Sequence, residues 1–147
     1  MNASPVMQKL QALIRGEIPP PPVARLIGFN LIEAGAGRAV FEMQAEERHA
    51  NPMGTLHGGI LCDLGDAAMG FAMATTLEPE ETFTTLELKA NFFKPVWNGR
   101  LRAEASMVKR SRSLGYLECD IKDEQGSLVC RLGSTCMVLR GRAAEGR

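Results

Sequence analysis

The sequence predicts an α+β domain in which an antiparallel sheet wraps around one long central helix. Three observations point there. The stretch from Gly58 to Thr76 is apolar on most sides at helical spacing, the mark of a buried helix. Strand-like alternation flanks it, with two strands before and four after. The chain has 147 residues, 45% of them hydrophobic and 23% charged, which fits one domain with its own core and is short for two.

Each element has a local reason. Met7, Leu10, Leu13 and Ile14 recur at helical period between Pro5 and Gly16, with Ser4 as N-cap and Pro5 at the first helical position. The run Pro19 to Pro22 breaks that helix and acts as a stiff connector. Phe29 to Glu33 reads as a strand and residues 35–37, Gly-Ala-Gly, as a turn. Arg38 to Ala45 reads as a second strand with Ala39, Phe41 and Met43 on one face. A polar loop follows over 46–56. In the central helix, Ile60, Leu64, Ala67, Phe71 and Ala74 form the main expected stripe. Its Ala and Gly content suggests that other backbone packs close to it.

Beyond the helix, Thr82 to Phe93 alternates, with Leu86, Leu88, Ala90 and Phe92 opposite Thr85, Glu87, Lys89 and Asn91. Asn98-Gly99 is a strong hairpin signal. Strands are expected over Leu101–Lys109, Leu114–Lys122 and Leu128–Leu139, the last two joined by a turn at Asp123–Gly126. Four strands in hairpin succession are therefore expected after the helix. The expected organisation is an N-terminal helix and proline-rich connector over 1–22, the main domain over 23–141 and a flexible tail over 142–147. Open strand edges and only moderately polar outer faces favour an oligomer.

Composition narrows the function. Lys plus Arg and Asp plus Glu both total 17, so the net charge is zero and the basic excess expected of a nucleic-acid binder is missing. The longest apolar stretch, Ala67 to Ala74, falls far short of the roughly 20 residues that span a bilayer. The opening MNASPVMQKL lacks the pattern of a secretory signal. Cys62, Cys119, Cys130 and Cys136 form no C-x-x-C pair and read as free thiols in a reducing cytoplasm. The two histidines, His49 and His57, have no metal-ligand spacing to a cysteine pair, so no metal is expected.

The informative stretch runs from Asn51 to Gly59, Asn-Pro-Met-Gly-Thr-Leu-His-Gly-Gly, and leads directly into the central helix with Asp63 and Asp66 in its first turns. Two glycines at a helix start let another group approach the backbone. The first N–H groups of a helix lack internal partners and lie at its positive end, so the Gly58 N–H could hold a developing oxyanion. A carboxylate on the same helix is a candidate base or nucleophile. His57 alone reads equally as a loop cap, and Asp63 as a surface acid drawn to the helix start. Asp66 fits that bland reading less well. It lies beyond the first turn, about 200° around the helix from Leu64, and an unpaired carboxylate in an apolar helix is costly.

These residues resemble the HGG signature of the hotdog-fold acyl-CoA thioesterases, in the phenylacetate-pathway (PaaI-type) branch. The matching features are Asn51 six residues before His57, the Gly58-Gly59 pair, Asp66 nine residues after His57, and a later strand ending in Phe93-Lys94-Pro95. The likeness covers about residues 24–140. It implies a hotdog fold and hydrolysis of an acyl-CoA thioester to an acid and free CoA, with no cofactor beyond the CoA of the substrate. By position it implies that the Gly58 N–H polarises the thioester carbonyl. Asp66, contributed by the neighbouring subunit, acts as base for water or as nucleophile. Asn51 helps place the water or thioester, His57 supports the loop, and Thr85 matches a small hydroxyl residue on the following strand. Asp63 stays unassigned, and so does the acyl group. The resemblance also implies a homo-oligomer, expected as a dimer of dimers.

Lys109, Arg110 and Arg112 cluster at a hairpin in KRSRSLG. They read either as a solvated turn or as a site for the phosphates of coenzyme A, which such cations bind by charge-assisted hydrogen bonds. Similar thioesterases often contact the nucleotide end of CoA in this region. Two other functions compete. A non-catalytic acyl-CoA-binding hotdog protein would have no use for Asp66. A hotdog hydratase would need an Asp–His pair on the active helix, and no histidine follows Asp66.

Overall fold

Helix α1 spans Pro5–Ile14 and starts as its sequence predicts. The Ser4 hydroxyl accepts the Met7 N–H at 3.2 Å, and Pro5 fills a position where no N–H is needed. This is a computed structural model describing residues 3–147, so Met1 and Asn2 of the expected N-terminal unit lie outside the described residues. The proline run does more than break α1. Its last member starts a short second helix, α2 (Pro22–Ile27), which closes on Gly28 at a φ of +94°. The fixed φ of proline ends one helix and suits the first position of the next.

The strands are β1 (Phe29–Gly35), β2 (Arg38–Ala45), β3 (Thr82–Phe92), β4 (Gly99–Arg110), β5 (Leu114–Lys122) and β6 (Leu128–Leu139), and the central helix is α3 (Gly58–Ala74). The strands form one antiparallel six-stranded sheet in the order β1-β2-β4-β5-β6-β3. Helix α3 touches all six strands, so the sheet wraps it as expected. A short 3-10 turn, Gly141–Ala144, follows the last strand.

Three expectations need correction. First, β4, β5 and β6 follow one another as hairpins, as expected, but β3 does not join β4 in that succession. β3 pairs with β6 at the far edge, and β4 inserts between β2 and β5. The connection 93–98 explains this. Phe93 N–H donates to Val129 O at 2.8 Å, Pro95 has no N–H to continue a ladder, and Val96 O accepts the Leu56 N–H at 2.7 Å. The link is thereby tied to β6 and to the loop before α3. Gly99 does take a φ of +109°, but as the first residue of β4, opposite Ala45, and its neighbour Arg100 donates its N–H to Glu124 Oε1 at 2.6 Å.

Second, the buried face of α3 is Leu61, Leu64, Gly65, Ala68, Met69, Ala72 and Met73; Ile60, Ala67, Phe71 and Ala74 flank it, half-buried. With apolar residues on most sides, periodicity alone does not orient this helix. Close approach does: a Cβ on Gly65 would lie 2.7 Å from both terminal carbons of the buried Leu132.

Third, β3 does not present one alternating face. A bulge lies between Thr85, which opposes Cys136, and Glu87, which opposes Thr135. Leu86 is the extra residue and is left 52% exposed. Leu88, Ala90 and Phe92 keep their inward register against Ser134, Leu132 and Cys130. Before the bulge the parity reverses, so Phe83 and Thr85 face the helix side with them.

Candidate active site

The loop ahead of α3 is held by its own polar groups and by bonds to α2 and to the 93–98 link. Asn51 Oδ1 accepts the N–H groups of Met53 (2.9 Å) and Thr55 (3.2 Å), while Asn51 Nδ2 donates to Thr55 Oγ1 at 2.7 Å. The Asn51 side chain thus closes the 51–55 turn and has its amide committed there. His49, for which the sequence predicts no role, is a buried pin. Its Nδ1 accepts the Glu46 N–H at 3.1 Å, so Nε2 carries the proton and donates to Ile27 O at 2.7 Å. Its carbonyl accepts the His57 N–H at 2.9 Å. A lone histidine in a polar loop gives no sequence signal for this bridge between α2 and the helix start.

His57 is the N-cap of α3, and its Nδ1 accepts the Gly59 N–H at 2.9 Å. That meets the cap reading of this residue. Ile60 N–H donates to His57 O at 3.0 Å. The Gly58 N–H, by contrast, has no acceptor among the described residues. The ring of Phe92 lies beside it, and a Cβ on Gly58 would be 3.0 Å from Phe92 Cζ. An open donor at a helix N-terminus beside an apolar wall suits a carbonyl oxygen that gains negative charge.

Asp66 lies two turns further along, off the buried face of α3 and on the side of Thr85. It lines a cleft of about 190 Å³ with Asp63, Phe29, Phe41 and Phe71. Burial pushes its carboxyl pKa up, the nearby negative charge of Asp63 adds to this, and a hydrogen bond with the Thr85 side chain opposes both. Burial also raises the Asp63 carboxyl. The β3 bulge therefore brings Thr85 to the acid, where unbroken alternation would have placed it on the outer face with Glu87. Behind Thr85, Cys136 Sγ lies 3.9 Å from its hydroxyl. The Cys136 thiol is itself raised by burial, and burial and the two aspartates likewise raise Cys62. Both thiols are therefore held in the neutral form beside the acid.

One chain does not complete a site from these parts. Gly58 and Asp66 are separated along the helix by about 12 Å, at 1.5 Å per residue. A carbonyl on the Gly58 N–H is thus beyond the roughly 3 Å reach that attack requires from the same chain's carboxylate.

The basic hairpin divides. The guanidinium of Arg110 bonds Glu81 Oε2 at 3.2 Å, Thr76 Oγ1 at 3.2 Å and the Ser111 carbonyl. Arg140 shares Glu81 with it, Nε to Oε1 at 2.8 Å. The Glu78 backbone N–H and these cations hold the Glu81 carboxyl below its usual range. Lys109 and Arg112 are exposed, and their side chains make no ion pair among the described residues. The cluster sits at the C-terminal end of α3, far from Gly58 in one chain. Among the described residues no group of His, Cys, Asp and Glu side chains is arranged to hold a metal ion, and no helix is long and apolar enough to cross a membrane.

The family model of the thioesterase superfamily matches residues 53–130. The 1,4-dihydroxy-2-naphthoyl-CoA hydrolase of Listeria monocytogenes is 30% identical over 116 residues, 79% of this chain and 94% of that protein. Among solved structures, a phenylacetic-acid-degradation-related protein from Ralstonia eutropha is 29% identical with a TM-score of 0.78, covering 87% of this chain and 98% of that one. A variant of the phenylacetic acid degradation protein PaaI from Thermus thermophilus is 27% identical with a TM-score of 0.75, covering 80% and 98%.

Proposed function

The chain belongs to the thioesterase superfamily, in the hotdog PaaI-type branch, and from that premise we propose that it hydrolyses an acyl-CoA thioester to a carboxylic acid and free CoA. The observation that carries this reading is geometric: Asp66 lines a cleft walled by Phe29, Phe41 and Phe71, and a bulge turns Thr85 to the helix side. A protein that only binds has no use for such an acid.

In the proposed site the thioester carbonyl oxygen accepts the Gly58 N–H of one subunit. The partner subunit's Asp66 stands at the carbonyl carbon. As a base it takes a proton from water, the hydroxide adds to the carbon, and charge builds on the oxygen at Gly58. The C–S bond then breaks and the CoA thiolate leaves, recovering a proton to give the thiol. As a nucleophile, Asp66 would instead form a mixed anhydride that water opens. Label from heavy-oxygen water in the Asp66 carboxylate after a single turnover identifies the second route, with water opening the anhydride at the Asp66 carbonyl, since the base route never labels Asp66. Thr85 favours the ionised acid. Asn51 and His57 support catalysis by fixing the loop that presents Gly58.

The 12 Å separation within one chain supports a two-subunit site, and β3 is the edge suited to build it. This edge strand and its exit expose Leu86, Phe92 and Phe93, 52%, 53% and 60% accessible, an apolar surface fit for a second copy. We propose a dimer through this edge, doubled to a dimer of dimers, working in the cytoplasm. Lys109 and Arg112 are the proposed contacts for CoA phosphates, with Arg110 bracing their hairpin.

Hydrolysis of a small panel of CoA thioesters, followed by thiol release, tests the activity. Turnover by the wild type and its loss in Asp66→Asn with folding intact is the expected result. Equal turnover by the two proteins contradicts the mechanism.

A further inference from the structure

The cleft at Asp66 does not end there. Pro21, Ala67 and Phe71 line it and also line a larger space of about 690 Å³ that runs along the outer side of α3 past Gly70 and Ala74 to Phe83. Helix α1 and the 18–22 proline segment roof that space through Leu10, Leu13 and Ile18. Among the described residues its charged lining consists of Lys9 and Arg25, which are exposed and present their aliphatic stems.

From Asp66 to Ala74 the groove follows α3 for about 12 Å. Its size is within the ordinary range for small-molecule pockets, roughly 300 to 1,000 Å³. Gly70 marks it. A mid-helix glycine costs about 1 kcal/mol relative to alanine, so its presence needs a reason. Gly65 has one in the close approach of Leu132. Gly70 has no such neighbour: a Cβ there would meet only Phe83 Cζ, at an ordinary 3.5 Å. What the missing side chain leaves is room in the groove.

We propose that this groove holds the apolar acyl group of the substrate, and that α1 and the proline segment, which lie outside the residues matched by the family model, form the wall that selects acyl groups of medium chain length over short ones. The inference rests on the thioesterase reading only for the identity of the ligand. Continuity with the cleft of the candidate acid argues for this occupant. The acyl group would lie against the subunit that supplies Asp66, extending from the carbonyl under that subunit's own α1. The apolar lining offers no partner for polar substituents along the chain.

The test is binding of non-hydrolysable thioether analogues, dodecyl-CoA and butyl-CoA, to the wild type and to Gly70→Ala and Gly70→Leu, by titration calorimetry. The wild type should bind dodecyl-CoA at least tenfold more tightly than butyl-CoA. Gly70→Leu should lose most of that advantage while binding butyl-CoA within twofold of wild type, and Gly70→Ala should fall between. If Gly70→Leu fails to fold, Gly70→Ala, whose Cβ fits at van der Waals distance, still has to weaken dodecyl-CoA selectively. Equal affinity of the wild type for both analogues overturns the proposal. So does an unchanged preference in the folded variants, or a change of oligomeric state in place of selectivity, which would make this face a contact between copies. Binding as expected with no hydrolysis by the wild type would sink the thioesterase reading and leave this one standing.

Discussion

The two sides of helix α3 are built on different terms. Toward the sheet, Leu64, Ala68, Met69, Ala72 and Met73 are fully buried, and Gly65 lets the buried Leu132 approach to a distance that no side chain would permit. On the outer side stand Asp63, Asp66, Gly70 and the half-buried Phe71, lining space rather than filling it. The same helix thus spends one face on packing and leaves the other incomplete. Close packing rewards shape; an acid set among aromatic side chains with no ion-pair partner among the described residues contributes nothing to stability and so points to chemistry.

The largest expected effect comes from the outer side. Asp66→Asn should lower kcat on the order of hundredfold or more, the usual scale for losing a general base. It should not lower the thermal midpoint at neutral pH. The folded state holds the Asp66 pKa above its unfolded value, so the stability linked to this group is present at low pH and is lost as pH rises through the folded pKa. Removing the charge should therefore raise the midpoint at pH 7 relative to wild type, and the gain should shrink as pH falls. Thermal melts across that range check the sign.

Next comes one substitution made on both sides. Gly65→Leu overpacks against Leu132 and should cost about 3 kcal/mol or more. Gly70→Leu should keep or raise the midpoint, because helix propensity gains about 1 kcal/mol and the side chain enters open space. Equal destabilisation of the two variants, measured by denaturant unfolding, would erase the distinction between the faces.

Smaller effects sharpen the electrostatics of the outer side. Loss of kcat/KM on acidification reports protonation of Asp66 in the free enzyme. Asp63→Asn removes a charge that raises the Asp66 pKa, so the acid limb should move to lower pH with little change in the plateau. Thr85→Ala removes the hydrogen bond that lowers it, so the limb should move to higher pH. Shifts in the same direction would contradict the arrangement. The smallest effect is at the hairpin. Arg112→Ala should raise KM for a CoA ester more than it lowers kcat, since a distant phosphate contact is made in ground and transition states alike, and added salt should mask the difference.

How much of this was legible in the residues follows from the same contrast. The helix existed in its composition and its cap in His57-Gly58-Gly59, because local signals decide both. β2, β5 and β6 ran to their expected ends because alternation and turn residues are local too. The helix orientation was not legible, since Ile60 and Leu61 are equally apolar and only contact with Leu132 across the core chooses between them. The place of β3 at the far edge was not legible either: Asn98-Gly99 reads as a hairpin until Pro95 and the Val129 contact divert the chain. At the site, Asp66 and Gly58 were visible as an odd acid and an open helix start. The approach of Thr85 depended on a bulge at Leu86 that no periodicity announces, and resemblance alone anticipated it. Arg110 looked like its neighbours in sequence, and only the fold ties it to Glu81.

The central claim is that a carbonyl held at one subunit's Gly58 is attacked with help from the other subunit's Asp66. Gly58→Pro removes that N–H while suiting the first helical position, the extended backbone of His57 (φ −64°, ψ 132°) accepts a following proline, and the exposed Phe92 ring has to shift by a few tenths of an ångström to admit the new Cβ. Asp66→Asn removes the acid. Each variant alone should be nearly inactive. When the two are unfolded, mixed in equal amounts and refolded together, half the dimers pair an intact Gly58 with an intact Asp66 at one of two sites, so activity should return to about a quarter of wild type in a two-fold symmetric assembly. A mixture no more active than its parents, with exchange of subunits verified, would contradict the shared site.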